Sequence, residues 1–223
     1  MGTAFRVITP PTTEPLTLVE AKRYCRVDFA DPVNDAKISG LISSARQFAE
    51  GVMCRALATQ TIRAEYIIDA PQSGRISGAI DDREPNWYHY NQELGANPFG
   101  IAMFYYDLPR PPLQGVTSVK YQYTVFDTDP NSGVPGYWTA FTGVYVTDID
   151  REPGRVWFQD PPTTFRWQFV YVAGYDGVSF VMPPDMKQAL GELVAFWYDN
   201  SEGAELPDGL MKKLLLNKNW ATP

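Results

Sequence analysis

Histidine and cysteine are almost absent from this 223-residue sequence: His89 is the single histidine, and Cys25 and Cys54 are the two cysteines. A structural zinc draws about four ligands from those residue types, so three candidates make such a site unexpected. Any Ser-His-Asp or Cys-His chemistry would have to run through His89. That residue lies in the aromatic, polar stretch Asn86-Trp87-Tyr88-His89-Tyr90-Asn91, which reads as a surface loop. Long apolar runs are missing too. None approaches the roughly 18 residues that span a bilayer, and residues 1–15 lack the apolar core of a signal peptide. Neither a membrane protein nor one exported by that route is expected. Two cysteines in an unexported chain read as reduced thiols, and Cys25 falls on an apolar helix face where it packs as a small hydrophobe.

Bases are outnumbered. Nineteen Lys and Arg face 26 Asp and Glu, a formal charge of −7. The deficit sits in the middle: residues 69–180 carry seven bases and thirteen acids, whereas residues 1–68 carry eight and seven. Gly209 to Pro223 reverses the sign, with Lys212, Lys213, Lys218 and no acid. A protein that grips duplex DNA by neutralising phosphates shows the opposite overall balance, so sequence-specific DNA binding is disfavoured. Nucleotide-binding glycine patterns are also absent: there is no G-x-x-x-x-G-K-[ST], and no G-x-G-x-x-G after a strand.

What remains is the composition of a folded protein, 44% hydrophobic and 20% charged, arranged in three regions. Thr17-Leu18-Val19-Glu20 fits a capping box and opens a short helix to about Arg26, with Leu18, Ala21 and Cys25 on one face. A second helix is predicted over 35–53. Its stripe is Ile38, Leu41, Ile42, Ala45, Phe48, Ala49 and Val52; Lys37, Ser44, Arg46, Gln47 and Glu50 fall mostly on the opposite, polar side.

From about 58 to 181 the chain turns to short β-prone runs, at 59–68, 101–108, 116–126, 144–146, 155–158 and 165–173. Asp129-Pro-Asn-Ser-Gly133, Glu152-Pro-Gly154 and Asp160-Pro-Pro162 supply turn chemistry between them. Residues 71–97 read as a long polar excursion. Pro183-Pro184 then opens a third helix with the stripe Met186, Ala189, Leu190, Leu193, Val194 and Trp197. Leu210, Met211, Leu214 and Leu215 make a short amphipathic tail ending at Trp220.

The expected fold is therefore α+β: a helical bundle built from the N- and C-terminal helices, with an antiparallel β-sandwich or barrel-like region inserted between them. The boundaries are 1–57 for the N-terminal bundle helices, 58–181 for the β insert, 182–202 for the C-terminal bundle helix and 203–223 for a C-terminal arm.

Candidate chemistry is thin. Asp81, Asp82 and Glu84 beside Trp87, Tyr88 and Tyr90 could form a carbohydrate-binding or glycosidase site, but nothing fixes the carboxylate separation. Asp148, Asp150 and Glu152 lack the EF-hand spacing and read as a solvated turn. No catalytic residue, metal ligand or cofactor is assigned. The lysines and leucines of the tail suggest docking against protein, either a partner or the chain's own bundle.

The order of several segments then resembles a known family. Glu14-Pro-Leu-Thr-Leu-Val-Glu-Ala-Lys-Arg-Tyr-Cys-Arg-Val-Asp28 is similar to the opening of the gp6-like head–tail connector, or adaptor, proteins of tailed phages. Ile38-Ser-Gly-Leu-Ile-Ser-Ser-Ala-Arg46 with Arg55-Ala-Leu-Ala-Thr-Gln-Thr61 resembles their second helix and exit strand. Leu108-Pro-Arg-Pro-Pro-Leu-Gln-Gly-Val-Thr-Ser-Val119 resembles their central proline segment. Val170-Tyr-Val-Ala-Gly-Tyr175 and Pro184-Asp-Met-Lys-Gln-Ala-Leu190 through Trp197-Tyr198 resemble their last strand and last long helix. The matches span about 14–200; the stretch 71–107 is longer than usual, and the tail after Glu202 matches no fixed motif.

The resemblance implies a non-enzymatic structural protein of the virion neck, made in the host cytoplasm and forming a homo-oligomeric ring, commonly of twelve copies. Such a ring sits beneath the portal protein, extends the DNA channel for non-specific passage of duplex DNA, and contacts the next neck or tail-completion protein. Like-charged walls would let DNA slide, and twelve copies would carry about −84 in formal charge at −7 each, which interface burial must offset. It also makes Leu210, Met211, Lys212, Lys213, Leu214, Leu215, Lys218 and Trp220 the natural portal-docking arm. The rival readings are another neck or tail protein, such as a stopper or tail terminator, against which helix 35–53 argues, and a carbohydrate-binding module using the Trp87–Tyr90 loop. A gene transfer agent neck shares the physics of a phage neck, and the sequence does not separate the two.

Overall fold

A computed structural model describes residues 2–67, 103–122, 138–159, 166–200 and 204–218. Its order is β1 (Gly2–Thr9), α1 (Leu18–Cys25), α2 (Asp35–Met53), β2 (Gln60–Ile67), β3 (Met103–Asp107), β4 (Leu113–Gln122), β5 (Thr139–Ala140), β6 (Tyr145–Asp148), β7 (Arg155–Gln159), β8 (Arg166–Ala173), α3 (Pro184–Asp199) and α4 (Asp208–Leu216). The class is α+β, with helices and purely antiparallel sheets.

The helices begin and end where local chemistry dictates. Thr17 Oγ1 accepts from the Glu20 amide at 3.2 Å while Glu20 Oε2 accepts from the Thr17 amide at 2.9 Å, closing the capping box. Arg26 and Cys54 stop α1 and α2 in the left-handed conformation, at φ 56° and 53°. The stripes Ile38, Leu41, Ile42 and Ala45 of α2 and Leu190, Leu193, Val194 and Trp197 of α3 are buried in one helical core with Cys25. Phe48 is half-buried against it, its ring edge-on to Trp197 at 5.5 Å. Helix α3 is the centre, touching α1, α2 and α4. Gly191 allows α1 to approach, because a Cβ there would collide with the Tyr24 ring.

The β region has its own core. A five-stranded sheet ordered β1-β2-β8-β4-β5 faces a three-stranded sheet ordered β3-β7-β6. Between them pack Tyr66, Tyr106, Phe158, Trp167, Phe169 and Tyr171, with the Phe158 and Trp167 rings 4.9 Å apart. Aromatic rings contribute large buried area per residue, which suits a core built from short strands. The chain crosses from one core to the other between Ala56 and Leu57, which belong to the β core and the helical core respectively. There the Ala56 amide donates to the Pro111 carbonyl at 3.0 Å.

Two expectations are corrected. Residues 2–9, assigned above to a helical N-terminal segment, form an edge strand of the large sheet, paired antiparallel with β2. Phe5, Val7 and Ile8 stay exposed there, so the strand carries little of the burial contrast that alternation arguments need. Arg46 and Glu50, placed above on the side opposite the apolar stripe, are nevertheless buried. They are tolerated because they satisfy each other and groups brought in from elsewhere in the chain.

Candidate interaction surfaces

That buried pair anchors a polar junction between the two cores. Arg46 Nε donates to Glu14 Oε2 at 2.8 Å and Nη1 to Glu50 Oε2 at 3.1 Å. The other oxygen of Glu50 accepts from the Leu57 amide and from Gln60 Nε2, both at 2.9 Å. Burial pushes the Glu50 carboxyl above its ordinary range, against the pull of these donors and of Arg46 and Arg110. Arg110 donates to the Glu50 carbonyl and stacks over the Phe5 ring at 5.1 Å. A small cleft of about 170 Å³ opens beside it, lined by Phe5, Val7, Gln47, Glu50, Gln60, Ile62 and Arg110. The donors and the acceptors answer one another here, so the junction reads as a structural clamp.

The C-terminal helix lies against its own bundle. Leu210 and Leu214 of α4 are buried in the helical core, and Lys213 Nζ donates to both oxygens of Glu192 at 2.6 and 2.7 Å. Arg55 Nε donates to the Asn217 carbonyl at 2.8 Å and its guanidinium pairs with Glu152 at 2.6 Å, tying the end of α4 to the β region. Lys212 and Leu216 are exposed, and Met211, Leu215 and Lys218 are half-buried. Trp220 lies outside the described residues. Of the predicted arm, then, Leu210 and Leu214 are occupied within the chain.

Beside α4 runs an open groove of about 750 Å³ between α2, α3 and the α3–α4 connection, lined by Phe48, Trp197, Leu206 and Met211 with Ser44, Gln47, Glu205 and Asp208. Other apolar side chains stand out from loops: Phe29 and Val33 between α1 and α2, and Val178 and Val181 between β8 and α3. Asp176 holds the second loop, accepting from the Val178 and Phe180 amides at 2.8 Å each.

The aromatic loop Trp87–Tyr90, with His89, Asp81, Asp82 and Glu84, lies outside the described residues. Among the described residues no three His, Cys, Asp or Glu side chains gather as metal ligands, and no helix is long and apolar enough to cross a membrane. Asp148, Asp150 and Glu152 are not drawn together around a centre; Glu152 pairs with Arg55. The surface thus offers contact areas, in the form of grooves, protruding apolar loops and an open sheet edge. Sequence reasoning missed the edge strand and the junction; Phe5 and Val7 alternate with Ala4 and Arg6, but Ile8 breaks the pattern and all three apolar side chains stay exposed.

This arrangement was compared with solved structures. It is similar along nearly its whole length to a chain in the neck of an empty gene transfer agent particle, computed with C6 symmetry: TM-score 0.61, 18% identity, covering 97% of this chain and 95% of that one. The two share a fold. A chain of the native gene transfer agent virion gives a TM-score of 0.60 at 18% identity over 96% of this chain and 95% of that one. A chain of the native neck, computed with C12 symmetry, gives 0.53 at 18% over 98% and 96%. No protein-family profile matches the sequence, and no curated protein matches it either.

Proposed function

We propose that this chain is a structural subunit of the neck of a tailed-phage or phage-like particle, working as a head–tail adaptor. Copies would form a ring, of twelve in this reading, seated between portal and tail and continuing the channel through which DNA passes. The observation that carries the proposal is the end-to-end likeness of fold to particle-neck chains, reached independently of the sequence resemblance to connector proteins. A surface of contact areas suits an assembly subunit. A ring of identical chains needs two different complementary faces on each copy, which a protein with a helical end and a β end provides.

Portal docking is assigned to the outer side of α4 and the segment beyond it: Met211, Lys212, Leu215, Leu216 and onward to Trp220. The segment division of 1–57, 58–181, 182–202 and 203–223 is kept as a functional proposal, with residues 2–9 moved to the β unit. Because Leu210 and Leu214 belong to the core, deletion at Ser201 would damage the fold; removing residues 219–223 and substituting Lys212→Glu leaves the core intact. Light scattering of the purified chain, alone and with its cognate portal protein, is the test. The proposal expects a ring alone or on the portal, with binding weakened by the tail variant. A chain that stays monomeric and ignores the portal refutes it.

A further inference from the structure

The large sheet has a second face, turned away from the aromatic core, and its charge is opposite to that of the protein. Residues alternate between faces along a strand, and Ile62, Ala64 and Tyr66 of β2 and Trp167, Phe169 and Tyr171 of β8 take the core side. Their neighbours Arg63, Glu65, Arg166, Gln168 and Val170 take the other. Pairing carries the same face across the sheet: Arg6 of β1 lies opposite Arg63, Arg63 opposite Val170, and Gln168 opposite Lys120 of β4. Four bases, Arg6, Arg63, Lys120 and Arg166, therefore share this face with one acid, Glu65.

Three of the four bases have no neutralising partner in the described part of the chain. Glu65 accepts a hydrogen bond from Gln168 Nε2 at 2.9 Å, and Arg6, Arg63 and Lys120 have no carboxylate partner among the described residues. Arg6 and Arg63 face each other directly, an arrangement that repels. Arg63 Nε is buried without a hydrogen-bond partner among the described residues. The buried Nε of Arg63, beside a second arginine on a half-covered sheet with Val170 and Val172, lacks an anionic acceptor among the described residues.

We infer that this face is a subunit interface, and that its occupant is an acidic surface of a second copy of the same chain. The charge count selects that occupant. With these four bases and Glu65 set aside, the rest of the chain holds 25 acids against 15 bases, so every copy presents an excess of acid for its neighbour's basic sheet. Such a contact is heterologous, joining unlike faces, and repeats around a closed ring. It also places opposite charges at the seams where copies of like net charge would otherwise repel. Arginine-rich, partly apolar patches are what interfaces are built from.

The inference rests on the ring proposed above, and one experiment separates the two. The Arg6→Glu/Lys120→Glu double variant alters two side chains at the surface of the sheet, with Arg63→Gln as a second variant; circular dichroism checks that each folds. Mass is measured by light scattering across a concentration series at low and at high salt, alone and with portal. The expected result is a wild-type ring loosened by salt and a double variant needing at least about tenfold more protein to assemble. A variant that assembles at wild-type concentration, beside a wild type that forms rings, overturns the interface and leaves the ring standing. Wild type that never assembles, with or without portal, overturns both. Rings that persist in the variant while retention of a duplex DNA oligonucleotide falls would give the face to nucleic acid, and also overturn the inference.

Discussion

Replacing Glu50 by glutamine and by alanine separates its two roles in the junction, as acceptor and as buried charge. Alanine removes both oxygens. The Leu57 amide and Gln60 Nε2, each 2.9 Å from one of them, lose their acceptor, and leaving a buried donor unsatisfied costs about 1–3 kcal/mol. Arg46 keeps Glu14 at 2.8 Å but loses Glu50. A total near 3 kcal/mol follows, a fall of about 6–12 °C in Tm at roughly 2–4 °C per kcal/mol for a chain of this size. Glutamine keeps the oxygen that serves Leu57 and Gln60, turns an amide toward Arg46 and relieves the burial of charge; it should cost only about 1 kcal/mol near pH 8.

The sign of the pH effect follows from the direction of the shift. The folded carboxyl titrates above its ordinary value of 4.5 because burial outweighs its donors, so the folded state holds the proton more tightly than the unfolded chain. Stability from this group is full below pH 4.5 and is lost as pH rises through the folded value. Wild type should therefore lose ground to Glu50→Gln between pH 4.5 and 8. Thermal melts of the three proteins by circular dichroism, at several pH values in that range, read both effects. Glutamine destabilising as much as alanine, or a gap between wild type and glutamine that does not change with pH, would refute these roles for Glu50.

The opposite sign is expected at Glu20. Burial raises its carboxyl, but hydrogen bonds from Lys187 and Thr17 outweigh that and hold it at about 2, so its contribution is present above pH 4.5 and disappears as pH falls toward 2; melts of Glu20→Gln should show a shallower acid limb. Thr17→Ala, which removes the cap of α1, should cost about 1 kcal/mol in urea unfolding. Gly191→Ala should destabilise by about 1–3 kcal/mol, since its Cβ meets the Tyr24 ring at the α1–α3 contact, and the same denaturation measured in a Tyr24→Ala background should recover part of the loss.

The helical stripes were readable because burial and periodicity coincide: Ile38, Leu41, Ile42 and Ala45 repeat at the helical spacing and all lie in the core shared with α3. Six strands, β2–β4 and β6–β8, were readable from their punctuation, since Glu152-Pro-Gly154 and Pro111-Pro112 stop one run before the next begins, whereas β1 and β5 were not. Charge misled where pairing is long-range. Arg46 and Glu50 look like a solvated face because Glu14, Leu57 and Gln60, which satisfy them, are supplied by other segments. The basic sheet face was invisible for a related reason: Arg6, Arg63, Lys120 and Arg166 are spread over 160 residues and become neighbours only through strand pairing. Amphipathicity of the tail was legible, but the choice between a partner and its own bundle depends on a surface the tail does not encode.

The central place of α3 has a consequence for how the chain is made. Helices α1 and α2 emerge early, yet the helix that covers their stripes follows the rest of the β region, 131 residues after Met53 at Pro184. At about 5–20 residues per second, translation leaves those stripes without α3 for roughly 7–26 s. The large sheet is delayed as well, since its central strand β8 ends at Ala173. Neither core can close on the ribosome before β8 and α3 have emerged, so until then the nascent chain exposes an apolar helix pair and an incomplete sheet, a natural client for holding chaperones.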